Sequence, residues 1–264
     1  MSIPHIFYQS WDNELPSVIM NKNTKNIPET FLYKRFCMGD IIKYLTDKWP
    51  HVMERFNSYN FIQHKIDLWR YCILYDTGGV YMDVDCILMQ NINCLLGSDC
   101  FFVSNNRGSN DIFNGFLGTY PNNPIYLEII NYMLITEKTD YFFNCKELYK
   151  IINKYILIEQ NKYDYECNER KISILWDIQK QDNRFYPYYY DKCMLVETNP
   201  FYPYINKNER IYKLIKDTIP SHLLQYPNLW NIIYETDTEY MLKNSKYNSI
   251  VINNISKNSV IKEE

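Results

Sequence analysis

The sequence predicts an α/β fold, and three observations carry that expectation. Apolar residues at three- and four-residue steps (Ile62, Ile66, Trp69, Ile73 and Leu74) mark a helix, which Thr77-Gly78-Gly79 closes. The chain passes from that turn directly into a short strand, Val80-Tyr81-Met82, which runs out into an acidic triplet, Asp83-Val84-Asp85. Strand-like and helical segments alternate over 264 residues with no linker between them, so one domain spanning residues 1–264 is expected.

In chain order, Ile3 to Gln9 reads as the first strand, short and apolar, with Pro4 tolerated at its start. Glu29 to Trp49 reads as two helical pieces broken near Met38-Gly39-Asp40, with Asp40 as N-cap, and a further helix covers Val52 to Phe56. On the helix that follows, Asp67 and Arg70 are three residues apart and leave from one face. After the triplet, Cys86 to Met89 stays extended, Asn91 to Ser98 is a loop, and Cys100 to Val103 is a buried strand. Pro124 opens a helix over Ile125 to Leu134, as a first-turn proline does. Residues 141–160 read as helix and Asn161 to Arg170 as a surface loop. The aromatic run Phe185 to Tyr190 is read first as packing, with a sugar-stacking acceptor platform as its alternative. The stretch from Asn244 to Glu264 is rich in Asn, Ser and Lys, and its end is expected to be disordered.

Composition narrows the classes. The chain is 46% hydrophobic and 22% charged, a globular balance, and long enough to bury a core without disulfides. A formal charge of −3 gives no general basic face, so nucleic acid is excluded as an expected partner. The eight cysteines show neither CxxC nor finger spacing and read as reduced thiols. No 18-residue apolar run and no signal-like N-terminus occurs, so a soluble, cytoplasmic protein without a membrane span is expected. Abundant Asn, Ile, Lys and Tyr suggest an AT-rich genome such as that of a giant virus or a protist, and a viral source would place the protein in host cytoplasm or virion. His51 and His64 read as surface or packing histidines, without partners at metal-ligand spacing.

Two carboxylates one residue apart hold a hard divalent cation against a phosphate, because Mg²⁺ and Mn²⁺ prefer oxygen ligands. A bare Asp-x-Asp is a weak signal, but helix, glycine pair, aromatic strand and triplet together are much rarer. The set Asp67, Arg70, Gly78, Gly79, Tyr81, Asp83 and Asp85 resembles the DxD-containing sugar transferases of the GT-A fold. The likeness is strongest to the family of yeast initiating mannosyltransferases and α-1,4-galactosyltransferases, and the glucosyltransferase domain of large clostridial toxins shares the segment. Ile3-Pro4-His5-Ile6-Phe7-Tyr8-Gln9-Ser10-Trp11 is similar to that family's opening, with Tyr8 where the family has His.

The resemblance implies a GT-A-like domain that uses Mn²⁺ or Mg²⁺ and a nucleotide diphosphate sugar, UDP-linked before GDP-linked, and transfers with retention to a glycan or protein acceptor. It implies metal contacts from Asp83, Asp85 and His222, and sugar-hydroxyl contacts from Asp67 and Arg70. Tyr81 lines the site, Asn114 touches the donor sugar, and Phe113 and Gly115 shape donor choice. Trp230 reaches the leaving phosphate. Trp11 has two readings: a platform for the base, or a cap on the core at a strand end. Asn114-Gly115 also has a plain turn reading, and His222 a packing one. Two rival functions stand beside the transferase. An aspartyl phosphatase requires Thr where Ile87 stands, and a non-catalytic nucleotide-sugar or glycan-binding protein would keep the fold without turnover.

Overall fold

The computed structural model describes residues 2–11, 24–84, 86–105, 110–137, 140–177, 186–197, 230–235, 239–244, 247–253 and 260–263. The chain forms two compact units, one of residues 1–13 and 23–197, the other of 14–22 and 198–264.

The larger unit is built on a mixed nine-stranded sheet flanked by helices. Its strands are β1 (Ile6–Ser10), β2 (Leu32–Phe36), β3 (Gly79–Met82), β5 (Cys100–Asn105), β6 (Ile112–Thr119), β7 (Asp164–Cys167), β8 (Arg170–Asp177), β9 (Pro187–Tyr189) and β10 (Lys192–Cys193). They lie in the order β10-β9-β8-β5-β6-β3-β1-β2, with β7 added beside β8. β1 runs parallel to β2 and β3, and β5 parallel to β8, while β6 runs against both β3 and β5. The C-terminal ends of β1, β3, β5 and β8 and the start of β6 therefore share one edge. A small pair, β4 (Cys86–Leu88) with β11 (Leu195–Glu197), stands apart from this sheet.

Adjacent residues of the central strands part to opposite faces, as a pleat requires. Tyr8, Tyr81, Phe102, Leu117 and Ile174 enter one core, and Phe7, Val80, Phe101, Phe116 and Leu175 the other. Burial of both faces explains why Cys100 to Val103 of β5 reads as a continuous apolar run rather than an alternating one. The first core is closed by α1 (Met38–Lys48), α2 (Met53–Ser58), α3 (Ile62–Thr77), α4 (Pro124–Ile135) and α5 (Phe143–Tyr155). The second lies beneath β4, β11 and the 3₁₀ turn Ile92–Leu95.

α3 is the central helix, and it is buried all round from Asp67 to Leu74. It ends on Gly78 at φ 62°, followed by Gly79 at φ 107°, two conformations that side chains avoid. These glycines turn the chain back on itself, so the start of α3 lies on the same edge as the end of β3.

Several local expectations change. Leu32–Phe36, expected as helix, is an edge strand, its backbone paired to β1 residue for residue. It is a strand by pairing with a distant segment, which no local pattern encodes. Asp40 is the third residue of α1 rather than its cap: Cys37 is the N-cap, and its N–H donates to Asp40 Oδ2 at 3.0 Å. The surface loop expected at Asn161 to Arg170 contains β7, hairpinned onto β8 through Asn168 and Glu169 at positive φ. His64 is buried within a box of Tyr59, Phe61, Tyr141 and Phe143 rings, a packing histidine as expected. No helix among the described residues is long and apolar enough to cross a membrane.

In the smaller unit, β12 (Trp230–Glu235), β13 (Glu239–Asn244), β14 (Tyr247–Asn253) and β15 (Val260–Glu263) form an antiparallel meander. Two of these strands fall in the polar stretch after Asn244.

Candidate active site

At the shared strand edge, β3 delivers Asp83 beside the start of β6, where the Asp83 N–H donates to the Gly115 carbonyl at 2.8 Å. Arg70 reaches this point from α3. Its Nη2 donates to Asp83 Oδ1 at 2.8 Å and to the Tyr81 hydroxyl at 3.1 Å, and its Nη1 to the Asn114 carbonyl at 2.5 Å. The Tyr81 hydroxyl donates to the same Asp83 Oδ1 at 2.7 Å, and the guanidinium lies over the Tyr81 ring, 4.0 Å from its centroid. Asp67 Oδ1 stands 3.2 Å from Arg70 Nη1, and the Asn144 amide donates to Asp67 Oδ2 at 2.7 Å. A guanidinium thus lies between two carboxylates and on a phenol.

Burial makes this cluster strong. Asp67 is 6% exposed and Arg70 3%, whereas the Asp83 side chain keeps 31%. A charge taken from water at that depth requires hydrogen-bonded partners. Burial opposes the Arg70 charge, but Asp83, Tyr81 and Asp67 together outweigh it and raise its pKa well above the ordinary value. Asp67 is not symmetrical with it. Burial pushes its carboxyl above the usual range, with Arg70 pulling back and Asp83 adding to the rise. Burial also raises the Tyr81 phenol far beyond neutral pH, so it acts as a neutral donor to Asp83.

The support extends into β1. The Ser10 and Tyr81 hydroxyls lie 3.1 Å apart, Gln9 Nε2 donates to the Asp83 carbonyl at 3.3 Å, and the Tyr33 hydroxyl donates to Gln9 Oε1 at 3.0 Å. Sequence reasoning missed Gln9, Ser10, Tyr33 and Asn144 as parts of the site. A trace was present for the first two: polar residues ending an apolar strand, directly before Trp11.

Of the residues singled out in the sequence, the fold brings together Asp67, Arg70, Tyr81, Asp83 and Asn114. Trp11 follows β1 on the same edge, its N–H donating to the Phe36 carbonyl at 3.0 Å. Asn114-Gly115 is no turn: it lies within β6, and the Asn114 amide donates to the Tyr71 hydroxyl at 3.3 Å. Asp85 and His222 lie outside the described residues, and Trp230 is placed only as the first residue of β12. The aromatic run ends in packing. The Tyr189 and Tyr190 hydroxyls both donate to Asp164 at 2.7 Å, and Tyr190 stacks on Tyr163. Since Pro187 pairs with Asp177 at the strand edge, Tyr190 lies toward the opposite end of the sheet.

Whether this edge fits a hard cation turns on Asp83. Its Oδ1 is occupied, and Oδ2 lies over the bare Cα of Gly115. A partly exposed carboxylate oxygen fits Mn²⁺ or Mg²⁺ as one ligand. Among the described residues, no three His, Cys, Asp or Glu side chains form a metal cluster.

Residues 6–102 match the family model described as the glycosyltransferase sugar-binding region containing the DXD motif. That span runs from β1 into β5 and holds Arg70, Tyr81 and Asp83, so the resemblance read from those residues is shown. Among individual proteins, the chain is similar to an uncharacterized glycosyltransferase of Acanthamoeba polyphaga mimivirus. The two are 27% identical over 143 residues, covering 51% of this chain and 57% of that protein. It is also similar to inositol phosphoceramide mannosyltransferase 3 of Schizosaccharomyces pombe, 24% identical over 49% of this chain and 36% of the yeast protein. The mannosyl phosphorylinositol ceramide synthase of Saccharomyces cerevisiae is 28% identical, over 48% of this chain and 34% of its own length. The chain therefore spans little more than half of the first relative and about a third of the yeast enzymes. A solved structure titled PaToxG glycosyltransferase superposes with a TM-score of 0.41 at 12% identity, over 59% of this chain and 70% of that one.

Proposed function

We propose that this chain is a glycosyltransferase that moves a sugar from a nucleotide diphosphate sugar to an acceptor hydroxyl on a glycan, protein or glycolipid. The observation that carries the reading is the Arg70–Tyr81–Asp83 cluster, which presents one carboxylate oxygen at the strand edge inside the matched segment. Carboxylates at a sheet's C-terminal edge are placed to meet a ligand. The finer reading is a GT-A-like enzyme, UDP-sugar-dependent before GDP-sugar, that retains anomeric configuration. The names of the yeast relatives add an inositol-phosphate glycolipid to the acceptors worth testing.

In this reading Asp85 holds the cation directly, Asp83 contributes Oδ2, and His222 completes the protein's share. Bound there, Mn²⁺ or Mg²⁺ supplies positive charge against the diphosphate that departs. Trp11 stacks on the base, and Asn114 meets the donor sugar beside Asp67 and Arg70. Arg70 also fixes the direction of Asp83. Trp230 reaches the leaving phosphate.

A panel of UDP- and GDP-sugars with Mn²⁺, followed by release of free nucleotide diphosphate, tests the reading. The expected result is slow hydrolysis of one donor by the wild type and none by a folded Asp85→Asn variant, because an amide keeps the shape but loses the charge. Tight nucleotide-sugar binding without turnover would identify a binding module instead, and equal activity in Asp85→Asn would remove the assignment of that residue.

A further inference from the structure

Asp83 is held from three directions, and one of them is an absence. Arg70 Nη2 and the Tyr81 hydroxyl grip Oδ1 at 2.8 and 2.7 Å. On the far side lies Gly115 of β6, whose carbonyl receives the Asp83 N–H. A Cβ built on Gly115 would stand 2.5 Å from Asp83 Oδ2, and 2.3 and 2.9 Å from two carbons of the Phe113 ring. No real Cβ tolerates such distances, so a side chain at this position must move one neighbour or both.

We propose that Gly115 is a positioning residue. Its bare Cα is the floor on which the Asp83 carboxylate lies, leaving Oδ2 as the single oxygen turned toward a ligand. The two neighbours of Gly115 differ in how easily they yield. The atoms of Phe113 that would be touched are at the far end of its ring, which shifts by rotation about χ1. Asp83 cannot withdraw Oδ2 without turning Oδ1 out of both the Arg70 and Tyr81 bonds, and Arg70 cannot follow because Asp67 and the Asn114 carbonyl hold its other nitrogen. Two bonds to a charged group outweigh the cost of one ring rotation.

The other glycines make the contrast. A Cβ at Gly97 would meet nothing within 4 Å, and one at Gly118 would meet only the Phe101 ring inside the core. Among the described glycines, Gly115 is the one whose missing side chain faces a carboxylate. No positive φ explains it either, since among the described glycines only Gly78 and Gly79 take one. The glycine is accounted for by space beside Asp83. A carboxylate fixed before its ligand arrives loses little freedom on binding, which is what preorganisation contributes to affinity.

The ligand side of this inference rests on the glycosyltransferase reading; the positioning does not, and two measurements separate them. The first is a crystal structure of ligand-free Gly115→Ala. Asp83 Oδ1 is expected to have left Arg70 and Tyr81; if it keeps both bonds while Phe113 alone has turned, the proposal is overturned. The second is calorimetric titration with UDP in the presence of Mn²⁺. Gly115→Ala is expected to raise the Kd at least tenfold while Gly97→Ala leaves it unchanged. Adding Phe113→Ala to Gly115→Ala removes the ring contact but not the Asp83 contact, so affinity stays low; recovery to the value of Phe113→Ala alone would overturn the role of Asp83. Should the wild type bind neither UDP nor GDP while Asp83 moves as described in Gly115→Ala, the nucleotide-sugar reading falls and the positioning role stands.

Discussion

Arg70→Ala removes the guanidinium from between Asp67 and Asp83, and its consequences follow from the geometry. The variant loses the bonds to Asp83 Oδ1, the Tyr81 hydroxyl and the Asn114 carbonyl, together with the ion pair to Asp67. Removing one partner from a buried pair costs about 3–5 kcal/mol, because the remaining charge is left uncompensated. For a chain of this size that corresponds to a fall of about 6–20 °C in Tm. The pH dependence is equally specific. Burial already holds the Asp67 pKa above its ordinary value, so its protonated form favours folding, and that contribution is lost as pH rises through the folded pKa. Without Arg70 the upward shift grows, and the gap between wild type and variant widens from acid to neutral pH. Urea unfolding at about pH 5 and about pH 7.5 reads this directly. Adding Asp67→Asn to the variant should recover about 1–2 kcal/mol at the higher pH, within the coupling expected of contacting residues. A loss below about 1 kcal/mol, or a gap that does not change with pH, would refute the argument that Arg70 neutralises a buried carboxylate.

Gly78→Ala tests the joint between α3 and β3. With φ at 62° and a Cβ due 2.7 Å from the Thr119 carbonyl and 2.8 Å from Pro121 N, none of the nearest backbone can yield. A loss of at least about 2 kcal/mol is expected in thermal unfolding, and a wild-type midpoint would mean the joint relaxes. If His222 is the direct ligand proposed above, His222→Ala raises the Mn²⁺ concentration needed for half-maximal donor hydrolysis several-fold; an unchanged requirement would assign His222 to packing.

Much of the site was legible in the sequence because it is local. Asp67 and Arg70 share a helix face, and the glycine stop, the strand and the first carboxylate follow within a few residues. The direction in which Arg70 points was not legible. An i,i+3 pair on a helix is ordinarily a solvated one, and only the depth of α3 beneath α4 and α5 turns Arg70 inward, onto Asp83 and away from solvent. That depth comes from packing between segments far apart in sequence. The turn alternative for Asn114-Gly115 fails for a similar reason: the pair has turn chemistry, but β6 lies between β3 and β5, which keeps it extended. Leu32–Phe36 was missed because an edge strand needs only a neighbour's backbone, and β1 supplies it. Asp164 gave no signal at all, since the phenols that bond it, Tyr189 and Tyr190, lie more than twenty residues later.

Asp83, held by Arg70 and Tyr81, is proposed to offer a single oxygen at a metal-dependent nucleotide-sugar site. Anomalous scattering from Mn²⁺ in crystals grown with UDP tests it most directly. One manganese peak is expected at bonding distance, about 2 Å, from the Asp85 carboxylate, and no more than one bridging water from Asp83 Oδ2. Asp83 Oδ1 should remain on Arg70. A manganese peak away from this edge, or one bridged by both Asp83 oxygens with Arg70 displaced, would contradict it.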